Sequence, residues 1–189
     1  MAAAGCLREL NTASRESALS LLEPIVERSL WVAEQIVDAR PFTSDQDVAQ
    51  RLVDTILEAG FERRLALFRA HPDLAGREAE EGTMTEASTS EQGRLGLTSL
   101  DPDTTARLAG MNAAYSDRFG HPFILALHRV PDLETVFEIF ECRLAATPVE
   151  EHVSTLAEIA SVISARAARA FSTSPELAEA SNRVEAADG

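Results

Sequence analysis

The sequence predicts an all-α fold, a single-domain bundle of about seven to nine helices. Three observations predict it. Apolar residues recur at three- and four-residue spacing along almost the whole chain, the mark of helices with one buried face. Alanine, leucine, glutamate and arginine, all good helix formers, dominate the composition. At 189 residues the chain is long enough for one sizeable core.

The first strong helical segment starts at Pro24, a favourable first position, and runs to Ala39 with Val26, Leu30, Ala33 and Val37 on one stripe; Pro41 ends it. Ser44 with Asp47 three residues on reads as a helix cap, followed by Val48, Leu52, Val53, Ile56 and Leu57 and closed by Gly60. A short helix spans Glu62 to Ala70 and must end at His71-Pro72, because the residue before proline is pushed out of the helical region. Residues 73–87 carry two glycines and no clear period, and are expected to form a loop. A capped helix begins at Ser88, and Asp101-Pro102 opens another through Leu108, Met111 and Tyr115 to Gly120.

The run His121 to Val130 is short and apolar, and periodicity alone does not separate strand from buried helix there; buried, extended chain is the expectation. Pro131 to Ala146 and Pro148 to Phe171 are two further helices, the second with Leu156, Ile159 and Ile163 on its stripe. The helical domain is thus expected over residues 1–171, with a flexible acidic tail over 172–189 that holds four acids and one arginine. No internal repeat is present.

Composition excludes several chemistries. All 17 basic residues are arginine, so there is no lysine for a Schiff base, a pyridoxal phosphate anchor, a phosphate-binding loop or biotin attachment. A net charge of -14 opposes nucleic acid and anionic membrane surfaces, and no window approaches the length of an apolar span. Cys6 and Cys142 form no CxxC pair and fit a reducing cytosol, and the first ten residues lack the features of a leader. The four histidines show none of the usual zinc spacings, and neither GxSxG nor GxGxxG occurs, so no metal or dinucleotide cofactor is expected.

What remains is acid–base chemistry. His71 sits at a helix end ahead of a glycine-containing loop; it is either a histidine stabilising the last carbonyls or a proton-transfer group at a cleft rim. Ser88-Thr89-Ser90-Glu91-Gln92 has the form of a capping box, and a helix N-terminus also suits an anionic ligand. Arg166 lies within roughly 20° of Ile159 on the helical wheel, on the apolar stripe. A charge there needs a partner, either an internal carboxylate or an anionic ligand. Arg169 lies nearer the stripe's edge and is expected to be solvated, as is the acidic stretch 78–91.

Four motifs then carry a family resemblance: RAHPDLAG (69–76), SxxEQ (88–92), NxxYxxRFGHPFI (112–124) and ExxxxxxxR (158–166). In this order, with twenty residues from His71 to Glu91, they make residues 20–170 similar to the 2-oxo-4-hydroxy-4-carboxy-5-ureidoimidazoline (OHCU) decarboxylase family of urate breakdown. The resemblance implies an all-helical, cofactor-free carboxy-lyase, usually a homodimer, that removes CO2 from OHCU to give (S)-allantoin; the cytoplasmic location is expected from the cysteines. It implies that His71 is the catalytic proton donor, with Glu91 and Arg166 in the catalytic set. It implies substrate contacts from Pro72, from Ser88, Thr89, Ser90, Glu91 and Gln92, and from Phe123, Ile124, Leu125, Ala126 and Leu127. The sequence departs from the family pattern at His121, where many members have an aromatic residue, at Arg77, where many have lysine, and at Arg94-Leu95.

The lysine-free composition suits that chemistry, since the conjugated imidazoline ring itself accepts the electrons left by CO2. The protein then orients the carboxylate and delivers a proton to one face. On this reading Arg166 and the helix N-terminus at Ser88 bind the anionic substrate, Glu91 disfavours its carboxylate, and His71 supplies or relays the proton. The competing readings are action on another small ureido acid, and a catalytically silent interaction protein in which the same residues only cap and pair. In the silent protein, His71, Glu91 and Arg166 need not converge.

Overall fold

Side-chain oxygens start most of the helices. In the computed structural model, which describes residues 6–171, Ser14, Ser44, Asp101 and Asp132 each accept a hydrogen bond from a first-turn amide. The segment 172–189, expected to be a flexible tail, lies outside the described residues. The described residues form ten α-helices and no strand. The chain begins with α1 (Leu7–Thr12) and α2 (Arg15–Leu22), two short helices ahead of the first expected segment. Leu10, Ala18 and Leu22 bury fully, so this weakly patterned stretch is helical because it packs.

The expected helix from Pro24 to Ala39 is broken. A 3-10 turn covers Glu23–Ile25, the backbone reverses at Glu27 (φ 33°) and Arg28 (φ 53°), and α3 then runs over Leu30–Ile36 into a second 3-10 turn at Val37–Ala39. Local propensity favours the continuous helix. What overrides it is tertiary: the reversal swings the Glu27 carboxylate inward onto Thr85, Ser88 and Arg166.

Next come α4 (Asp45–Glu58) and α5 (Phe61–Arg69). Val48, Leu52 and Ile56 bury as their spacing requires, whereas Leu57 stays 51% exposed, and Gly60 sits ahead of α5 instead of closing α4. The expected loop 73–87 contains one short helix, α6 (Arg77–Glu81), ended by Gly82 with a left-handed φ of 68°.

Helix α7 (Glu86–Arg94) starts two residues before Ser88, with the Thr85 hydroxyl accepting from the Ser88 amide at 3.3 Å. The capping box expected at Ser88 and Glu91 therefore does not form, and both side chains are free for other work. Helix α8 (Pro102–Phe119) is closed by Gly120 at φ 77°, and α9 (Leu133–Leu144) and α10 (Pro148–Phe171) complete the order.

Helix α10 lies along α4 and against the first 3-10 turn, and one apolar cluster fills the space between them and α2, α3 and α5. A second cluster, around Tyr115, Phe123 and Phe140, joins α8 and α9 to the segment 121–130. That segment is extended and buried, as expected, and ends in a 3-10 turn at Leu127–Arg129. It has no strand neighbour, so side chains satisfy its backbone. The Ile124 carbonyl accepts from Arg143 at 2.6 Å, the Ala126 amide donates to Glu158 at 2.8 Å, and Arg94 donates to the carbonyls of Leu127 and Val130. Arg143 is held in turn by buried Glu151, which also accepts from Tyr115 and Thr155. His121 packs its ring edge-on at 5.0 Å from Phe68, in the place of an aromatic residue.

Candidate active site

The end of α5, the start of α7, the extended segment and the middle of α10 surround a cleft of about 390 Å³, counted out to its mouth. His71 enters it because Pro72 stops α5; its Nδ1 lies 3.0 Å from the Leu67 carbonyl, which only accepts, so Nδ1 carries the proton and Nε2 is left for proton transfer. Pro72 lines the cleft beside it. The next residues are pinned by amides from elsewhere: Gln92 donates to the Asp73 carbonyl and accepts from the Ala75 amide, and Asn112 donates to the Leu74 carbonyl at 2.9 Å. Gln92 thus faces the cleft with its amide engaged in holding the loop after His71.

From α7 come Ser88 and Glu91, three residues apart on one face. Thr89 and Ser90 lie on the exposed side of α7, and Ser90 borders a separate groove beside α2. Of the extended segment, Phe123, Ile124, Leu125 and Leu127 line the cleft, whereas Ala126 is fully buried behind it. Leu74 and Val162 complete the apolar wall. Val162 was legible as the partner of Ile159 and Ile163 on the α10 stripe; Leu74 had only its closeness to His71 to mark it.

Arg166 is buried, and the alternative of an internal carboxylate is the one the structure takes, twice over. Its Nη1 donates to Glu27 at 2.8 Å; its Nε and Nη2 donate to the two oxygens of Glu91 at 3.0 and 2.8 Å. Arg169, expected to be solvated, is 55% exposed yet also donates to Glu91 at 2.8 Å. The acidic stretch 78–91 is likewise not a uniformly solvated face: Glu91 is largely covered and Glu78 pairs with Arg28. Glu27 is the member of this cluster that the sequence does not mark, because on a continuous helix from Pro24 it is an ordinary solvated acid.

These contacts set the charges. Burial raises the Glu27 and Glu91 carboxyls, but the Arg166 charge and its hydrogen bonds outweigh burial and hold both below the usual carboxylate range. Burial lowers the His71 imidazole below its ordinary value, and the Leu67 carbonyl and the Glu27 charge only partly offset this. At neutral pH the cluster therefore holds two carboxylates, two guanidiniums and a neutral histidine. Ser88 lies in the first turn of α7, where its amide is taken by the Thr85 hydroxyl, and Glu91 lies in the second turn, where the amides bond within the helix; the Arg166 guanidinium, not a helix-end amide, is the anion donor that lines this cleft. Among the described residues no group of three or more His, Cys, Asp or Glu is placed to hold a metal ion, and no helix is long and apolar enough to cross a membrane.

Comparison with known proteins bears on this cleft. The profile of the OHCU decarboxylase family matches residues 11–168. The mouse 2-oxo-4-hydroxy-4-carboxy-5-ureidoimidazoline decarboxylase is 39% identical over 138 residues, which cover 71% of this chain and 75% of that protein. The decarboxylase of the same name from Amia calva is 32% identical over 163 residues, covering 85% of this chain and 91% of its own length. The crystal structure of an (S)-allantoin synthase superposes with a TM-score of 0.70 at 25% identity, over 89% of this chain; this chain spans 55% of that longer one.

Proposed function

Because the chain belongs to the OHCU decarboxylase family, we propose that its cleft decarboxylates 2-oxo-4-hydroxy-4-carboxy-5-ureidoimidazoline to (S)-allantoin, as a carboxy-lyase of urate breakdown. The observation that carries this reading is the convergence of His71, Glu91 and Arg166 on one cleft. A silent interaction protein has no need of that convergence. A different ureido acid meets the same charges, and the family match favours OHCU over it.

In the proposed reaction the bond between the carboxyl carbon and the ring breaks and its electron pair passes into the conjugated ring, so that no cofactor is required. The anionic substrate enters a cluster whose charges already balance, and it takes guanidinium hydrogen bonds from Arg166 and Arg169 in competition with Glu91. Glu91, held ionised, faces the departing carboxylate and favours its loss as neutral CO2. The apolar wall of Phe123, Leu125 and Leu127 keeps water from the reacting face. His71, neutral with Nε2 open, accepts a proton from the substrate, is stabilised as imidazolium by the flanking glutamates, and returns the proton to one face of the ring, which sets the single hand of the product.

The exposed, unpaired thiols of Cys6 and Cys142 support a reducing compartment, the cytosol, and the net charge of -14 argues against nucleic acid as a partner. The family resemblance supports a homodimer. The experiment is to add the protein to freshly generated OHCU and follow its loss and the chirality of allantoin. The native chain accelerates the loss and yields one enantiomer; His71→Asn loses about 100-fold or more of the rate, the range for a general acid–base group. Unchanged turnover in His71→Asn removes His71 from the reaction.

A further inference from the structure

Glu27 combines two features that a fold avoids without a reason. Its backbone, with that of Arg28, is held in the left-handed region at φ 33° and 53°, where a side chain is strained. Its carboxylate is then placed 1% exposed in the interior. An apolar pair stabilises a core at least as well as a buried ion pair, so packing alone does not account for either feature.

The contacts show what the arrangement accomplishes. The Glu27 carboxylate accepts from the Thr85 hydroxyl at 2.9 Å, from Ser88 Oγ at 2.8 Å and from Arg166 Nη1 at 2.8 Å, tying the turn before α3 to α7 and α10. It does not itself line the cleft. A guanidinium is a rigid plane, so a carboxylate fixed at Nη1 sets where the opposite edge, Nε with Nη2, points. That edge points at both oxygens of Glu91. The other cation on Glu91, Arg169, is 55% exposed and holds it by a single bond, too loosely to set an orientation alone.

We propose that Glu27 is a positioning residue for the decarboxylation: from behind the cleft it orients Arg166, and through Arg166 it fixes the Glu91 carboxylate opposite His71. The inference rests on the reading that the cleft is the decarboxylation site. The charged groups around His71 are Glu27, Glu91 and Arg166, so Glu27 also adds negative charge beside the imidazole.

Two variants of the full chain separate reach from charge. Glu27→Asp keeps the charge and withdraws the carboxylate by one methylene, beyond hydrogen-bond distance of Nη1. It lowers kcat about 10- to 100-fold with little change in KM, as for a misplaced catalytic group, and leaves the His71 limb of the pH profile where it is in the native chain. Glu27→Gln keeps the reach and removes the charge; kcat falls and the His71 limb, followed on the acid side of the ordinary imidazole value, moves to lower pH because the neighbouring anion is gone. Native kcat and an unmoved limb in both variants overturn the proposal. So does loss of cooperative unfolding in both, since the carboxylate is then a requirement of the fold and not of the site. A native chain that does not accelerate OHCU loss refutes the cleft reading instead, and the same assay reports it first.

Discussion

Replacing Arg166 with methionine tests the ion-pair cluster most directly. Methionine fills the volume of the arginine stem on the α10 stripe and removes every donor of the guanidinium. Glu91 keeps Arg169 and some access to solvent, so it relaxes. Glu27 does not: its side chain is 1% exposed and retains only the hydroxyls of Thr85 and Ser88. Stranding one member of a buried pair costs about 3–5 kcal/mol. For a domain of this size that lowers Tm by roughly 6–20 °C.

The pH dependence sharpens the test. In the native chain the Glu27 carboxyl is held below its ordinary value of 4.5, so its contribution to stability is complete above that value and is lost as pH falls through the folded one. In Arg166→Met burial is no longer outweighed and the folded carboxyl rises above the unfolded value. Its stabilisation is then present below the unfolded value and is lost as pH rises through the raised one. The stability gap between the two proteins is therefore widest near neutral pH and narrows toward the ordinary carboxylate value. Urea unfolding followed by far-UV circular dichroism at neutral and mildly acidic pH measures it. A gap below about 1 kcal/mol that does not change with pH refutes the assignment of Glu27 as the buried counter-ion.

Thr85→Ala removes the cap of α7, costs about 1 kcal/mol and exposes the Ser88 amide to hydrogen exchange, whereas Ser88→Ala leaves amide protection in the first turn intact. Faster exchange at the Glu91 amide in Ser88→Ala returns the capping role to Ser88. His121 is buried, and burial holds its imidazole below the ordinary 6.5 despite the bond to the Pro122 carbonyl, so its contribution to stability is present above 6.5 and lost as pH falls through the folded value. His121→Phe loses about 1 kcal/mol with that bond at neutral pH and shows a shallower loss of stability on acidification; an unchanged slope shows that His121 does not titrate on unfolding.

Several features were legible because they depend on neighbours in the chain. The caps at Ser44 and Asp101, the stop at His71-Pro72 and the turn at Gly120 are local conformational preferences, and the stripe that buries Ile159, Ile163 and Arg166 together is a property of helical spacing. The presence of a charge on that stripe already required a partner. The register of α7 is locally ambiguous because Thr85 and Ser88 both suit a cap; in the fold the Thr85 hydroxyl takes the Ser88 amide, and Glu27 accepts from both hydroxyls.

The identity of the partners was beyond any local reading. Glu27 and Arg166 meet across 139 positions, and Arg166 and Glu91 across 75. The left-handed turn that brings Glu27 inward runs against the propensity of its own segment and exists only because the contacts it gains are made with distant helices. The sequence by itself determined an all-helical chain, the starts of α4, α5, α8 and α10 to within a residue, and that His71, Glu91 and Arg166 are the residues to watch. The tertiary structure alone decided that Arg166 is shared between two carboxylates and that one of them, Glu27, reaches the site from behind. Hydrophobic period and capping are encoded over three or four residues, whereas the pairing of a buried charge is set by whichever distant group the packed fold brings within hydrogen-bond range.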